Sequence, residues 1–108
     1  MPSITMFISA QAWPTDEALE RLSAQCAALC TEILFAAVEN VHVIYVTVHH
    51  GRGRPIFVEF KYRLEPFRTQ AVVDDFIDKL DSAIVSCTGT VARIRGFGYS
   101  RDAIQARH

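Results

Sequence analysis

The stretch from Pro55 to Arg68, PIFVEFKYRLEPFR, constrains the fold of this chain more than any other. Every second residue from Ile56 to Leu64 is apolar, and most of the intervening positions are charged. A period of two predicts a β-strand with one apolar face. Arg63 ends the polar face, and Arg68 follows a short turn, just before a second amphipathic helix. We expect the two guanidiniums to converge at this strand-to-helix corner, where such a pair could clamp a carboxylate.

Length and composition indicate one domain over residues 1–108 with a small-molecule ligand. The chain has 108 residues, half of them apolar, and a formal net charge of −1, so the balance favours neither disorder nor a nucleic-acid partner. No run reaches the length of a membrane span, and no secretory leader pattern precedes the first strand. Three cysteines without framework spacing fit a reducing compartment. We therefore expect a cytoplasmic protein.

The chain begins Met-Pro, and Pro2 has two interpretations. Ile4, Met6 and Ile8 alternate with Ser3, Thr5 and Phe7, so Pro2 could simply open a strand, where its missing N–H costs little. If Met1 is removed, however, Pro2 becomes a secondary amine at the end of that strand. Nearby arginines would keep the amine neutral and able to accept a proton.

Two helices are predicted from their caps and apolar stripes. The first begins at Thr15-Asp16-Glu17, and the second runs from Thr69 to about Thr88, ended by Gly89. The apolar stripes recur at spacings of three and four: Leu19, Leu22, Cys26, Leu29, Cys30 and Ile33 in the first helix, and Val72, Val73, Phe76, Ile77, Leu80 and Ile84 in the second. Cys26 and Cys30 are interpreted as small core residues rather than metal ligands.

Two further strands complete the pattern. Val41 to Val48 is apolar on both faces, so it needs cover on both sides, and further copies of the chain would supply the second cover. His49 to Arg54 is interpreted as a hairpin connection. Thr90 to Phe97 is predicted as the last strand. If its apolar residues pack beneath the helices, Arg93 and Arg95 face the same side as Arg63, either lining an inter-subunit pocket or forming surface salt bridges.

The element order is therefore β-α-β-β-α-β, which predicts an α+β sandwich with two helices on one face of a four-stranded sheet, of the split β-α-β kind. At this point the sequence resembles the tautomerase superfamily, and Pro2 falls on that family's catalytic amino-terminal proline. The segment from Ile56 to Arg63 and on to Arg68 resembles cis-3-chloroacrylic acid dehalogenase, which implies substrate-carboxylate binding by Arg63 and Arg68. Val41 to Ile44 is similar to the second strand of 4-oxalocrotonate tautomerase (4-OT), with His42 in place of a carboxylate-polarising arginine.

Other family signatures differ in this chain. Only Asp102 and Gln105 lie near the place of the dehalogenase's glutamate, and Leu29 or Cys30 stands where that enzyme has a helix histidine. The aspartate of malonate semialdehyde decarboxylase, which is similar at the same corner, would fall near Glu39 or Asn40.

The resemblance implies a keto-enol tautomerase acting on a small 2-hydroxy-2-alkenoate or arylenolpyruvate. Pro2 would be the base, Arg63, Arg68 and His42 would bind the substrate, and Arg93 or Arg95 would add charge from the pocket wall. A homotrimer is implied, with neither cofactor nor metal, and with no nucleic-acid or membrane partner. Two alternatives stay open: hydration, dehalogenation or decarboxylation of a 3-carbon acid on the same fold, or a non-catalytic oligomeric binding protein if Met1 is retained.

Overall fold

The computed structural model describes residues 1–108 and contains the six elements that the sequence pattern predicts. They are β1 (Ser3–Ser9), α1 (Asp16–Glu32), β2 (His42–Val48), β3 (Ile56–Arg63), α2 (Gln70–Thr88) and β4 (Arg93–Tyr99). The last strand begins three residues later and ends two residues later than predicted. Neither helix is long and apolar enough to cross a membrane.

The sheet order is β2-β1-β3-β4, so β1 and β3 are the inner strands. β1 pairs parallel with β2 and antiparallel with β3, while β3 pairs parallel with β4. Each helix therefore connects two adjacent parallel strands, and the fold is two consecutive β-α-β units joined through the β1–β3 pair.

The sequence pattern predicted a hairpin between the second and third strands and a sandwich of the split β-α-β kind. Both of these predictions are wrong. Because β1 lies between β2 and β3, residues 49–55 pass the end of β1 instead of making a tight turn. There the Ser9 N–H donates to the Pro55 carbonyl at 2.9 Å. The glycines of this segment permit a loop, but they do not decide which strands pair.

Local capping explains where the helices begin and end. The hydroxyl of Thr15 accepts from the Ala18 N–H at 3.1 Å, and that of Thr69 accepts from the Val72 N–H at 3.3 Å, which satisfies one free donor at each N-terminus. Gly89 ends α2 in the left-handed region, with φ at 73°, a conformation that costs glycine little.

The core lies between the two helices and one face of the sheet. Its buried members from the strands are Ile4, Met6, Ile8, Ile56, Val58, Phe60 and the nearby Ala92, and those from the helices include Leu22, Cys26, Cys30, Val73, Phe76, Leu80, Ala83, Ile84 and Cys87. The predicted helix stripes are thus confirmed, since the remaining stripe residues pack against this cluster while half-buried.

The opposite face of the sheet carries no helix. The strand register places every residue that alternates with a core position on this helix-free face, including Phe7, Ile44, Phe57, Arg93 and Phe97. Ile44 is 50% exposed and Phe97 is 42% exposed. As predicted, Ala92 is buried and Ile94 packs on the core, so Arg93 and Arg95 lie on the same face as Arg63. An open face of this composition is typical of a surface that another chain covers.

Two glycines of β4 make room for aromatic rings of β3. Gly96 pairs with Phe60 and Gly98 pairs with Tyr62, and the two rings stack with centroids 4.9 Å apart. A Cβ at position 98 would lie 2.7 Å from Leu64 Cδ2 and 2.9 Å from Tyr62 Cζ. The absent side chain therefore allows Tyr62 to lie over the backbone of β4.

We expect Gly98→Ala to lower the free energy of unfolding by about 1–3 kcal/mol, because overpacking forces side chains off their preferred positions. Gly51→Ala is the matched control, since a Cβ there meets nothing within 4 Å. Urea unfolding of both variants measures the difference. Equal stabilities would show that the Tyr62 ring moves aside without cost.

Burial also controls the cysteines. All three are free and buried. Burial, with smaller contributions from Cys30 and Cys87, raises the pKa of the Cys26 thiol from 9.0 to about 12. Burial likewise raises the pKa of Cys30 to about 12, although the charge of Arg68 opposes it. A thiol held neutral in the core is a poor nucleophile, which agrees with its assignment as a core residue.

These shifts predict a loss of stability in alkali. A thiol whose pKa is raised in the folded state stays protonated there while its unfolded counterpart ionises, so the free energy of unfolding falls as the pH rises from about 9 toward 12. Urea unfolding across this range measures the slope, and Cys26→Ala is expected to flatten it. If the slope is unchanged in Cys26→Ala, the Cys26 thiol does not contribute to the pH dependence of stability.

Candidate functional site

A cavity of about 370 Å³ opens beside the start of β1. Its wall includes residues from both neighbouring strands, from the amino terminus and from the carboxyl-terminal segment: Met1, Asn40, His42, Arg63, Ile104 and Arg107. Strand pairing explains the assembly. Ser3 is opposite His42 of β2 and Lys61 of β3, so the start of β1 meets the start of β2 and the end of β3.

Pro2 lies directly at this junction. Its side chain is fully buried, and its carbonyl accepts a hydrogen bond from the His42 N–H at 3.1 Å. Met1 precedes it and contributes to the cavity wall. Since Met1 and Pro2 share a peptide bond, the nitrogen of Pro2 is attached to a residue that borders the cavity. With Met1 in place that nitrogen is a tertiary amide and has no basicity.

Arg63 is oriented by a neighbouring carboxylate. Its Nε donates to Glu65 Oε1 at 2.8 Å, and the same oxygen lies 3.8 Å from Nη2 of Arg101. The terminal Nη1 and Nη2 of Arg63 make no hydrogen bond within the chain. The Glu65 contact therefore fixes one edge of the guanidinium and leaves the other for a ligand, the edge that suits a bidentate carboxylate contact.

Arg68 has a different environment from Arg63. It is 9% exposed, its Nε donates to the Leu34 carbonyl at 3.0 Å, and its Nη1 donates to the Arg63 carbonyl at 2.8 Å. Burial lowers the pKa of the Arg68 guanidinium, and Glu65 partly offsets this by raising it, but arginine keeps its charge in proteins. Arg68 ties the end of α1 to the end of β3 and is absent from the cavity wall.

The remaining predicted residues divide between the cavity and the open sheet face. His42 lies in the cavity wall. Arg93 pairs with Phe57 and Arg95 pairs with Glu59, so both lie on the helix-free face. Phe57 and Glu59 precede Lys61 in β3, so both arginines are displaced along the sheet from the Ser3–Lys61 pair at the start of β1. Within one chain, therefore, the structure brings together Pro2, His42 and Arg63 but leaves Arg93 and Arg95 outside.

Sequence reasoning missed the contribution of the carboxyl-terminal segment. Ile104 is half-buried and borders both the main cavity and a second one of about 280 Å³, which Met1 also lines. Arg107 joins the main cavity wall. Ile104 is the one large aliphatic residue of a polar tail, and this signal was interpreted as packing on a neighbouring copy instead of on the chain itself.

The residues of the chain do not form a metal centre. No group of three or more His, Cys, Asp or Glu side chains is arranged to hold a metal ion. Cys26 and Cys30 lie in the core, and His49 and His50 follow β2 at the opposite end of the sheet from Pro2.

Solved structures share this architecture over nearly the whole chain. A fused 4-OT wild-type symmetric trimer is 14% identical with a TM-score of 0.83, covering 97% of this chain and 91% of that chain. The fold is that of the tautomerase superfamily. N1, a member of the cis-3-chloroacrylic acid dehalogenase family, is 13% identical with a TM-score of 0.81, covering 97% of this chain and 80% of its own.

A macrophage migration inhibitory factor-like protein from Entamoeba histolytica shares the tautomerase fold as well. It is 13% identical with a TM-score of 0.76, and the match covers 99% of this chain and 96% of that chain. No protein-family model and no curated protein sequence matches the chain. Similarity is thus visible in the arrangement of the strands and helices and not in overall sequence.

The two arginines of the corner should respond differently to substitution. Arg68→Gln leaves buried carbonyl groups without their donor, so we expect it to lower the free energy of unfolding by about 1–3 kcal/mol. Arg63→Gln loses an exposed ion pair worth about 0–1 kcal/mol and should instead weaken carboxylate binding. Urea unfolding and calorimetric titration with 3-phenylpropionate separate the effects. Full stability of Arg68→Gln together with lost binding would make Arg68 a ligand after all.

Proposed function

We propose that the protein is a keto-enol tautomerase of a small 2-hydroxy-2-alkenoate or arylenolpyruvate, with Pro2 as the base. The observation that carries the proposal is the position of Pro2 at the start of β1, next to a cavity whose wall includes His42 and Arg63. A proton acceptor and a carboxylate-binding cation are the two groups that this reaction needs.

Removal of Met1 converts Pro2 into a competent base. The nitrogen then changes from a tertiary amide to a secondary amine, at the place where Met1 now borders the cavity. Burial and a nearby positive charge both favour the neutral form of an amine, which is the form that accepts a proton.

In the proposed reaction the neutral amine of Pro2 takes the proton of the substrate's enol hydroxyl. As the O–H bond breaks, its electrons form the ketone C=O, and the electrons of the C=C bond accept a proton at carbon from the Pro2 ammonium. Arg63 holds the adjacent carboxylate through its free edge, and His42 donates one hydrogen bond. Substrate and base are thereby fixed within reach of each other.

We also propose that the chain acts as a homotrimer. The helix-free face exposes apolar side chains next to Arg93 and Arg95, and the similar fused 4-OT structure is a symmetric trimer. Assembly through this face would bury the apolar rows. Arg93 or Arg95 would then add charge to the site of a neighbouring subunit, while Arg68 supports Arg63 from within its own chain.

The composition of the cavity wall favours tautomerisation over the hydrolytic alternatives. Activation of water in hydration or dehalogenation calls for a general base besides the proline, yet no Asp or Glu side chain lines the cavity. Asp102 and Glu39 both lie outside its wall. A role without catalysis applies if Met1 is retained in the cell, because the nitrogen of Pro2 is then an amide.

The first test is the mass of the untagged protein, followed on the same sample by an ultraviolet assay of phenylenolpyruvate ketonisation. We expect Met1 to be absent and the Pro2→Ala variant to lose about 10²–10⁴-fold in kcat, the range for a general base. Protein that retains Met1 should also be inactive, because its Pro2 nitrogen is an amide and cannot accept a proton.

Thermal unfolding is the control for Pro2→Ala, because Pro2 is buried at the start of β1 and the variant must keep its fold. Turnover that neither Pro2→Ala nor a retained Met1 alters would refute the proline mechanism. Retained Met1 without turnover in the native protein would favour the binding-protein alternative.

A further inference from the structure

The end of β1 farthest from Pro2 borders another polar cavity, of about 180 Å³, which we call the distal cavity. Its wall is formed by the last residue of β1, the turn that follows β1 and the residues at the end of β2: Ser9, Ala10, Gln11, Val48, His49 and His50. Since a strand rises about 3.3 Å per residue, the length of β1 places this cavity roughly 20 Å from Pro2. The distal cavity is therefore separate from the cavity beside the proline.

Ser9 is a buried polar residue in this wall. It is only 4% exposed, because the connection from β2 to β3 passes the end of β1 and its Pro55 carbonyl accepts from the Ser9 N–H at 2.9 Å. The Ser9 hydroxyl oxygen accepts from the Gln11 N–H at 3.3 Å, but the hydroxyl donates its own proton to no atom of the chain. A hydroxyl has one proton to donate, and here that proton remains for a ligand in the cavity.

Both histidines that follow β2 lie in the same wall. Alternation along a strand would direct adjacent side chains to opposite faces, but β2 ends at Val48, and His49 and His50 both border the distal cavity. Neither imidazole makes a hydrogen bond or an ion pair within the chain. No Asp or Glu side chain lines the cavity, so its polar side chains offer donors to a ligand without an opposing negative charge.

The loop beyond the histidines adds positive charge. Arg52 and Arg54 are exposed, and neither guanidinium has a carboxylate partner within the chain. Two unpaired cations beside a cavity without carboxylates attract an anion and repel a cation. A divalent metal ion, the other common ligand of a histidine pair, is therefore disfavoured at this place.

We propose that the distal cavity is an anion site that binds a phosphate group, with the Ser9 hydroxyl and the imidazoles of His49 and His50 as hydrogen-bond donors. Phosphate oxygens accept several hydrogen bonds at once, and their charge strengthens each of them. The cavity volume is about six times the roughly 30 Å³ that a water molecule occupies in the liquid, which leaves room for a tetrahedral oxyanion. The site is independent of the reaction at Pro2.

Titration with inorganic phosphate tests the proposal residue by residue when it is followed in backbone-amide NMR spectra of the full-length protein. Near neutral pH, we expect saturable shifts that are largest at residues 9–11 and 49–51, with a Kd in the millimolar range or below. Sodium chloride at the same ionic strength should not reproduce them, because it changes only the screening. A parallel titration with glycerol 3-phosphate shows whether the free ion or a phosphate ester binds more tightly.

Ser9→Ala and His49→Gln are each expected to weaken phosphate binding about tenfold or more, because each removes a hydrogen bond to a charged group. His42→Gln is the matched control, since it changes a histidine at the other end of β2, and it should leave the phosphate affinity of the distal cavity unchanged. Thermal unfolding shows whether Ser9→Ala keeps its fold. If it does not, His49→Gln decides the outcome.

Several results would overturn the site. They are the absence of saturable shifts, equal shifts with chloride, shifts confined to the cavity beside Pro2, and phosphate affinity that folded Ser9→Ala or His49→Gln leaves unchanged. Binding of Zn²⁺ at the two histidines without binding of phosphate would overturn it as well, because the cavity would then be a cation site.

The proposed function is tested separately on the same proteins. His49→Gln should bind 3-phenylpropionate and ketonise phenylenolpyruvate as the unmodified protein does. If the unmodified protein without Met1 binds phosphate through Ser9 and His49 but ketonises nothing, the tautomerase is refuted and the anion site is kept. If it ketonises phenylenolpyruvate but binds no phosphate, the anion site is refuted and the tautomerase is kept.

Discussion

The pairing of β1 on both of its edges is the constraint on which the site depends. β1 runs parallel to β2 and antiparallel to β3, so the first residue of one neighbour and the last residue of the other arrive at the same end. Pro2 is held there by the hydrogen bond from His42. A slip of register by one residue would turn Ile4, Met6 and Ile8 out of the core, so the same burial that stabilises the sheet fixes the position of Pro2.

The corner after β3 shows how packing gives two arginines different tasks. Arg63 remains at the surface of the cavity because Glu65 holds it by one edge. Arg68 is drawn beneath the turn, where two main-chain carbonyls need donors and a planar fork can serve both. The second arginine therefore supports the conformation that presents the first one.

The carboxyl-terminal segment extends the cavity wall beyond the strand ends, and the arginines of β4 lie outside it. Arg93 and Arg95 lie on an open apolar face that is well suited to assembly, and Arg107 reaches the cavity through the packing of Ile104 beside Met1. Within one chain, the cavity beside Pro2 thus receives positive charge from the end of β3 and from the carboxyl-terminal segment, which are distant in sequence.

The sequence by itself determined the strands, helices, caps and buried faces, because periodicity and capping depend on residues a few positions apart. The Thr15 cap, the end of the second helix at Gly89 and both apolar stripes were predicted correctly for this reason. Tertiary structure decided which strands pair, since a crossover and a hairpin use similar loop residues, and the expected hairpin gave way to β1 lying between β2 and β3. It also decided that Arg68 is buried and that Arg107 borders the cavity, because both depend on contacts between segments that no local pattern encodes.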